Sequence, residues 1–512
     1  MAEFHVEHFG CRAARADGEA VGGQLRAAGL DQGHAAAADV VVVNTCSVTA
    51  EADRAARAFI RRTHRLNPEA RIVVTGCYAQ RAPEELAAMA GVAAVVGNSH
   101  KALASEIVLG LAGQASIIGN TVPAAPRNLV SLQSLRAGGA PIWADDGFAH
   151  SFIEEAQLVP GEQTRPNLKI QEGCGNRCTF CVIPQTRGSS KSLAGATVMR
   201  QVDGFVAAGG NELVLSGINL GRWGRDLPAS EERQSRNEII GLPPFPQNKA
   251  ERMGHGASFQ DRASLTLAGL VRQIFRETQL PRLRLSSIEP MDWDAELIGL
   301  MAEFGGTKLA RHAHLPLQSG SDAVLRRMHR RYRPWHYAEK VEALLRAAGP
   351  ELTLGADVMV GFPGETDAEF EETLELVRAL PFGYLHLFPF SPRPGTRGWA
   401  LHAERPVAPQ AVEARMAALR ALAAEKSREH RSRFVGQELE AITMHTPTAL
   451  AELGRTTALT VNFLPVEIDG RLAANRLVRV RVTGLKPEGA PLGVLAATES
   501  AIAQPSLAAA IQ

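Results

Sequence analysis

No apolar run in the 512-residue chain reaches the ~18 residues that a membrane helix needs. The start, with Glu3, His5 and Glu7, lacks the basic and apolar stretches of a secretory leader, so export is not expected. Charge excess is missing as well. Lys and Arg number 55 against 54 Asp and Glu, a net charge of +1. No global field can drive nucleic-acid binding, which would need a local patch. Lysine is rare, eight of those 55 basic residues. With the richness in alanine, that skew points to a GC-rich genome rather than to a function. Cysteine is rare too, at six residues. So few in a long chain without an export signal argue against a disulfide framework and suit metal ligation in a reducing cytoplasm. The apolar fraction of 45% is ample for buried cores. The length suggests about three domains at roughly 150 residues each.

The six cysteines are not scattered. Cys174, Cys178 and Cys181 stand in the run Glu172-Gly173-Cys174-Gly175-Asn176-Arg177-Cys178-Thr179-Phe180-Cys181. Three thiolates at this spacing can hold three irons of a cubane 4Fe-4S cluster and leave the fourth open. A cluster closed by four cysteines moves electrons, whereas an open iron can bind a substrate. The alternative is zinc. A structural zinc site takes four ligands, usually as paired Cys or Cys/His sets, and no His or fourth Cys lies within about twenty residues of this triplet.

The other three cysteines share a different logic. Cys11 follows the alternating segment from Phe4 to Gly10. Cys46 ends the β-branched run Asp39 to Thr45, and Cys77 ends Arg71 to Gly76. Both runs read as buried parallel strands. Helical patterns follow from about Ala50 to Leu66 and from about Pro83, and Val92 to Val96 reads as a fourth strand. Strands alternating with helices predict a doubly wound parallel sheet. Open α/β sheets bind ligands beyond the carboxyl ends of their strands, where all three cysteines fall. Buried structural cysteine is the alternative, but three at equivalent positions favour a second cluster.

Six further strands are expected at Leu168–Gln171, Glu212–Ser216, Leu283–Ser287, Ala313–Leu317, Leu354–Val360 and Tyr384–Phe388. Helical stretches separate most of them, which predicts a partial (β/α)6 barrel with chemistry at the strand carboxyl ends. Gly361 and Gly364 could contact a ligand or simply turn the chain into a helix capped by Thr366. A charged helix over 408–433 leads to short strands at Leu439–Thr443, Leu459–Phe463 and Leu477–Thr483, the pattern of a small β-barrel. In the last of these, Arg479 and Arg481 alternate with valines, so one face would be basic. Phe463 could stack a base or fill a core.

The triplet with Phe180 resembles the signature of the radical S-adenosylmethionine (SAM) enzymes. In that family the open iron chelates the amino and carboxylate groups of SAM, and an electron cleaves SAM to a 5'-deoxyadenosyl radical. The segments Asn44-Thr45-Cys46-Ser47-Val48-Thr49, Thr75-Gly76-Cys77-Tyr78-Ala79-Gln80 and Val96-Gly97-Asn98 resemble the amino-terminal domain of methylthiotransferases. These are radical SAM enzymes with a second, sulfur-delivering 4Fe-4S cluster. The resemblance implies two clusters, on Cys11, Cys46 and Cys77 and on Cys174, Cys178 and Cys181. It implies SAM contacts from Gly209, Gly210 and Glu212, and from Ser287, Glu289, Gln318 and Gly361. Residues 460–466 and 476–484 resemble the TRAM domain, a tRNA-binding module, which implies RNA contacts from Arg476, Arg479 and Arg481.

The expected organisation is an amino-terminal α/β domain at 1–112 and a linker at 113–163. A radical SAM domain at 164–425, with an insertion at 225–262, leads to a TRAM-like domain at 430–496 and a disordered tail at 497–512. Within the family, Ser216–Gly221, Arg284–Pro290 and Phe388–Thr396 resemble most the enzymes that modify N6-threonylcarbamoyladenosine in tRNA. There the adenine C2–H next to the anticodon, at position 37, becomes C–S–CH3. The family pattern is departed from at Ala14 and at Lys191-Ser192-Leu193. The substrate alternatives are isopentenyladenosine in tRNA and an aspartate of a ribosomal protein. A non-catalytic iron–sulfur RNA-binding protein and a pure electron carrier are rivals of other classes, against which the triplet and the barrel elements speak. A cytoplasmic monomer with a tRNA substrate and no membrane partner is expected. The sequence identifies neither the electron donor nor the sulfur source.

Overall fold

The computed structural model describes residues 2–113, 139–148, 153, 158–160, 165–227, 266–486 and 491–495. The tail expected at 497–512 and nearly all of the insertion expected at 225–262 lie outside these residues.

The first sheet is parallel throughout, in the order β2-β1-β3-β4-β5-β6. Its strands are β1 (Glu3–His8), β2 (Asp31–Gln32), β3 (Val40–Thr45), β4 (Arg71–Gly76), β5 (Val92–Gly97) and β6 (Ile142–Trp143). Every residue of β3 is buried, as its unbroken β-branched run requires of a strand covered on both faces. Val41 and Val43 pack on one face with Ala56 and Ile60 of α2 (Ala50–Leu66). Val40 and Val42 pack on the other with Val21 and Leu25 of α1 (Arg12–Ala27). Thr49 caps α2, its side chain accepting from Ala52 N at 3.2 Å, with Glu51 and Asp53 in the first turn. β6 corrects the expected linker at 113–163: Ile142 and Trp143 pair with Val95 and Val96. Two residues carry too little periodicity to be read as a strand.

The middle strands are β7 (Asn167–Glu172), β8 (Lys191–Ser192), β9 (Glu212–Gly217), β10 (Arg282–Leu285), β11 (His312–His314), β12 (Thr353–Val360) and β13 (Phe382–Pro389). All six expected strands are present, and β8 is an added antiparallel edge on β7. They form two parallel groups, β10-β9-β7 and β11-β12-β13. A bridge between Leu283 and Leu309 joins the groups. Among the described residues no pairing links β13 to β7, so the barrel is open there. The start of α1 reaches β7 at this side, the Arg12 carbonyl accepting from Asn167 Nδ2 at 2.9 Å.

The last five strands are β14 (Glu438–Thr443), β15 (Arg455–Thr460), β16 (Pro465–Asp469), β17 (Leu477–Leu485) and β18 (Pro491–Leu495). They close into a barrel in the order β14-β15-β16-β18-β17. β15 covers only Leu459 and Thr460 of the strand expected at Leu459–Phe463, because Phe463 takes a left-handed φ of 65° in the turn to β16. Val480 and Val482 face the core while Arg479 and Arg481 face out, as the alternation demands.

Candidate functional site

The order of the first sheet reverses between β1 and β3, and such a reversal opens a crevice beyond the strand carboxyl ends. Cys11 follows β1, Cys46 follows β3, and Cys77 opens the helix after β4. Gly10, at φ 113°, holds this crevice open. A Cβ there would lie 2.3 Å from Cys46 Cβ and 2.7 Å from its Sγ. Burial, then the nearby Cys11 and Cys77 thiols, pushes the Cys46 thiol up to about 12. Cys77 Sγ accepts from Asn98 Nδ2 at 3.4 Å and from Arg187 Nε at 3.2 Å.

The second triplet lies in the loop after β7. Gly173, at φ 67°, makes the turn, where a Cβ would strike the carbonyl of Ser189. Cys174 Sγ faces Asn176 N at 3.4 Å and Asn219 Nδ2 at 3.7 Å. Cys178 Sγ accepts from Arg330 Nη1 at 3.3 Å, and Arg330 is paired to Glu289 at 2.5 Å. Burial is also the main cause that raises the Cys181 thiol to about 12. All three line one open cavity of about 390 Å³ with Gly395, Thr396 and Arg397. Among the described residues, neither triplet gathers its three sulfurs within 4.8 Å of one another. Thiolates at ~2.3 Å from a single tetrahedral zinc would be closer than that. Three separated thiols beside hydrogen-bond donors and a cation therefore suit a larger, anionic cluster better than one ion.

Arg187 belongs to the helix Ile183–Arg187, just after the second triplet, yet reaches the first. It is fully buried in an ionic network between the two domains. Its Nη1 meets Asp17 at 3.0 Å and Glu172 at 2.5 Å. Lys169 and Lys101 also pair with both carboxylates. Burial pushes Glu172 up, but Arg187, Lys101 and Lys169 outweigh it and hold the carboxyl well below its usual range. Asp17 is held low by Lys101, Lys169 and Arg187, again against burial. Three cations share two carboxylates, and one of the three, Arg187, also touches Cys77. Sequence reading missed this network, since no spacing links residues 17, 101, 169, 172 and 187.

The other sequence-derived site residues divide. Glu289 stands beside the second triplet through Arg330. It also lines a cavity of about 530 Å³ with Cys178 and Arg222. Gln318, at φ 64°, bridges by its backbone to Val358, and its buried Oε1 has no partner. Ser287 is half-buried in the loop after β10. Gly361 and Gly364, at φ 75° and 72°, make the turn into the helix Asp367–Ala379, which Thr366 caps in a capping box with Glu369.

Gly209, Gly210 and Glu212 require correction. They lie at the amino end of β9, the wrong end for a ligand of the triplet, roughly 17 Å along a strand of this length from its carboxyl end. There Gly209 O accepts from Asn475 Nδ2 at 2.8 Å, and Glu212 binds Arg284 at 3.0 and 3.1 Å. The glycine pair turns the chain into β9, and the polar group at the productive end is Asn219. Asn219 N donates to Gln171 Oε1 at 2.6 Å, and its side chain faces Cys174.

Phe463 neither faces solvent nor fills the small barrel. It stacks on His312 at 4.1 Å, between Arg165 and Arg284, at the amino end of the middle barrel. Arg476, Arg479 and Arg481 are exposed, and Arg481 is tied to Glu438 at 2.5 Å.

Residues 3–97 match the Uncharacterized protein family UPF0004, and residues 168–377 match the Radical SAM superfamily. The chain is 30% identical to the threonylcarbamoyladenosine tRNA methylthiotransferase MtaB of Rickettsia prowazekii, over 93% of this chain and 94% of that one. The protein of the same name from Bacillus subtilis is 31% identical, over 94% of each. A tRNA-2-methylthio-N(6)-dimethylallyladenosine synthase of Cereibacter sphaeroides is also 31% identical, over 94% of this chain and 96% of that one.

Proposed function

The chain belongs to the radical SAM tRNA methylthiotransferases, and from that premise we propose that it adds a methylthio group to C2 of N6-threonylcarbamoyladenosine at position 37 of tRNA. The pair of cysteine triplets, each beyond strand carboxyl ends, supports the reaction type, and the likeness to two threonylcarbamoyladenosine enzymes over more than nine-tenths of the chain supports the substrate.

In this reading Cys174, Cys178 and Cys181 hold a 4Fe-4S cluster with an open iron for SAM, and Cys11, Cys46 and Cys77 hold a second 4Fe-4S cluster. Bound together, cluster and SAM supply radical chemistry for a C2–H that is neither acidic nor a leaving group. The chain's own task is to place and screen. Arg330 and Asn219 donate toward the sulfurs of Cys178 and Cys174 and so favour the anionic state of the site. Glu289, Ser287 and the unpartnered Oε1 of Gln318 are the proposed contacts of SAM, with Gly361 at the turn behind them. Arg187 and its network fix the amino-terminal domain against the barrel, so that Cys77 is held beside the segment that follows the second triplet.

The carboxyl-terminal barrel is proposed to hold tRNA through Arg476, Arg479 and Arg481. The domain assignment follows: residues 1–112 with β6, the barrel within 164–425, and the RNA module within 430–496. Monomeric action in a reducing cytoplasm completes the reading. Among the described residues no helix is long and apolar enough to cross a membrane. The test is nucleoside mass spectrometry of tRNA from a strain lacking the gene. The 2-methylthio form of threonylcarbamoyladenosine should be absent, the unmethylthiolated form should accumulate, and the intact gene should restore the product. Loss of methylthio-isopentenyladenosine instead would overturn the substrate assignment.

A further inference from the structure

One segment of the middle barrel touches the loops of both cysteine triplets. β13 ends at Pro389, and the helix Arg397–Glu404 begins at Thr396, whose hydroxyl accepts from Trp399 N at 3.1 Å. Pro392 and Pro394 restrict the backbone between them. The Arg393 carbonyl accepts from Thr396 N at 3.2 Å and from its hydroxyl at 2.7 Å, which closes a turn.

One side of this turn reaches the second triplet. Gly398 N donates at 2.7 Å to the carbonyl of Thr179, which lies between Cys178 and Cys181, and Gln185 Nε2 donates to the Gly395 carbonyl at 2.9 Å. A Cβ on Gly398 would stand 3.1 Å from that Thr179 oxygen and 3.2 Å from Phe180 Cα, so the approach is close. The other side reaches the first triplet. Arg393 Nε donates to the Val48 carbonyl at 3.4 Å, and Val48 N faces Cys46 Sγ at 3.5 Å. Arg393 Nη1 donates to Asp53 Oδ2 at 2.6 Å. The same oxygen accepts from Arg81 Nη2 at 2.8 Å, and Arg81 ends the helix that Cys77 opens. Ser391 Oγ accepts from Ala50 N at 3.1 Å, at the start of α2.

The Arg393 and Asp53 side chains are only 4% and 5% exposed. Charge-assisted hydrogen bonds in such a place are strong and fix geometry. Among the described residues Arg393 bonds to no cysteine sulfur, so it acts through the loops it holds. We propose that residues 390–398 are a brace that sets the spacing of the two triplets, with Arg393 as its positioning residue, and that this spacing couples SAM cleavage to sulfur insertion. This rests on the two-cluster reading given above. Cleaving SAM needs the second triplet alone, whereas inserting sulfur needs both sites to meet at one adenine carbon. A misplacement of ~1 Å can cost on the order of 10²-fold in rate. A loosened brace therefore leaves cleavage intact and makes it unproductive.

The test uses the full-length, anaerobically reconstituted protein, SAM, a strong reductant and tRNA carrying threonylcarbamoyladenosine. In Arg393→Gln the ratio of 5'-deoxyadenosine to methylthio product should rise at least about tenfold over the wild type, on the scale of such a misplacement. Arg393→Lys, which keeps the charge toward Asp53, should restore much of the coupling. Hydrogen–deuterium exchange, read by mass spectrometry, should quicken in Arg393→Gln at residues 46–50 as well as at 390–398. Ser391→Ala removes only the acceptor for Ala50 N. It should move both readouts the same way and less, and it decides the matter if Arg393→Gln does not fold. An unchanged ratio would overturn the proposal, and so would faster exchange confined to 390–398. A fall in 5'-deoxyadenosine in proportion to the methylthio product would also overturn it, since that is the signature of general damage. A wild type that cleaves SAM but makes no methylthio product would refute the assigned reaction, and the brace would then stand or fall on the exchange at 46–50.

Discussion

Replacing Glu172 with Gln isolates the contribution of the ionic network at the domain junction. Glu172 is 1% exposed and accepts from Lys101, Lys169 and Arg187. The substitution keeps the shape but leaves three buried cations facing Asp17 alone. Removing one partner of a buried charge pair costs about 3–5 kcal/mol. For a unit of 150–250 residues each kcal/mol moves the melting temperature by roughly 2–4 °C. A drop of at least about 6 °C is therefore expected, followed by circular dichroism on the reconstituted protein. Because the Glu172 and Asp17 carboxyls are held low in the folded protein, their contribution is complete above the ordinary carboxylate range. It is lost as pH falls through that range toward the depressed folded values. The wild type should lose stability steeply on acidification, and the variant should lose less. The double variant E172Q/K169M removes one charge of each sign and should recover part of the loss, a coupling that a double-mutant cycle reads directly. A drop below about 2 °C for E172Q, or strict additivity in the cycle, would refute the claim that the network holds the junction.

Other expectations concern the two triplets and the RNA module. Iron analysis should give about eight irons per chain, and replacing Cys174, Cys178 and Cys181 together by Ala should halve that; near-zero iron with stoichiometric zinc would contradict the assignment. Gly10→Ala should empty the amino-terminal site selectively, because its Cβ would collide with Cys46 at 2.3 Å; an unchanged iron count would show that the loop has room. Arg187→Gln should shift the reduction potential of the amino-terminal cluster negative, since a buried cation and a hydrogen bond to Cys77 are lost, and an unmoved potential would reduce Arg187 to a structural role. Arg479→Gln should flatten the salt dependence of tRNA binding by roughly 0.7 to 0.9 in log–log slope. Arg481→Gln should do less, because Glu438 already neutralises it at 2.5 Å; unchanged slopes for both would place the RNA contact elsewhere.

What the sequence disclosed, it disclosed through local pattern. Continuous valines marked β3 and β4 because strands covered on both faces have no polar side, and the cysteines stood out because they close those strands. The six middle strands were legible for the same reason. β6 and β16 were not, being two and five residues long with prolines at or beside them. The glycine pair at Gly209–Gly210 misled because glycine-rich turns at the two ends of a strand look alike in sequence. Only the register of β9 against β7 shows which end faces the cysteines. The ionic network and the arginine group at the barrel floor were hidden altogether. Asp17 and Arg187, or Arg12 and Asn167, meet only once the amino-terminal domain docks on the open side of the barrel, and no spacing records that meeting. Phe463 was ambiguous between base stacking and core because both need an aromatic ring. Its left-handed backbone and its partner His312 decide for a third role, the floor of the barrel.

The most direct measurement is a single reaction: reconstituted protein, SAM, a strong reductant and tRNA already carrying threonylcarbamoyladenosine, with nucleosides resolved by mass spectrometry. The expected result is the 2-methylthio derivative together with 5'-deoxyadenosine. The derivative should be lost when Cys11, Cys46 and Cys77 are replaced by Ala, while 5'-deoxyadenosine still forms. Methylthiolation that survives the loss of those three cysteines, or 5'-deoxyadenosine with no methylthio product from the intact protein, would contradict the assignment of two clusters to one sulfur insertion.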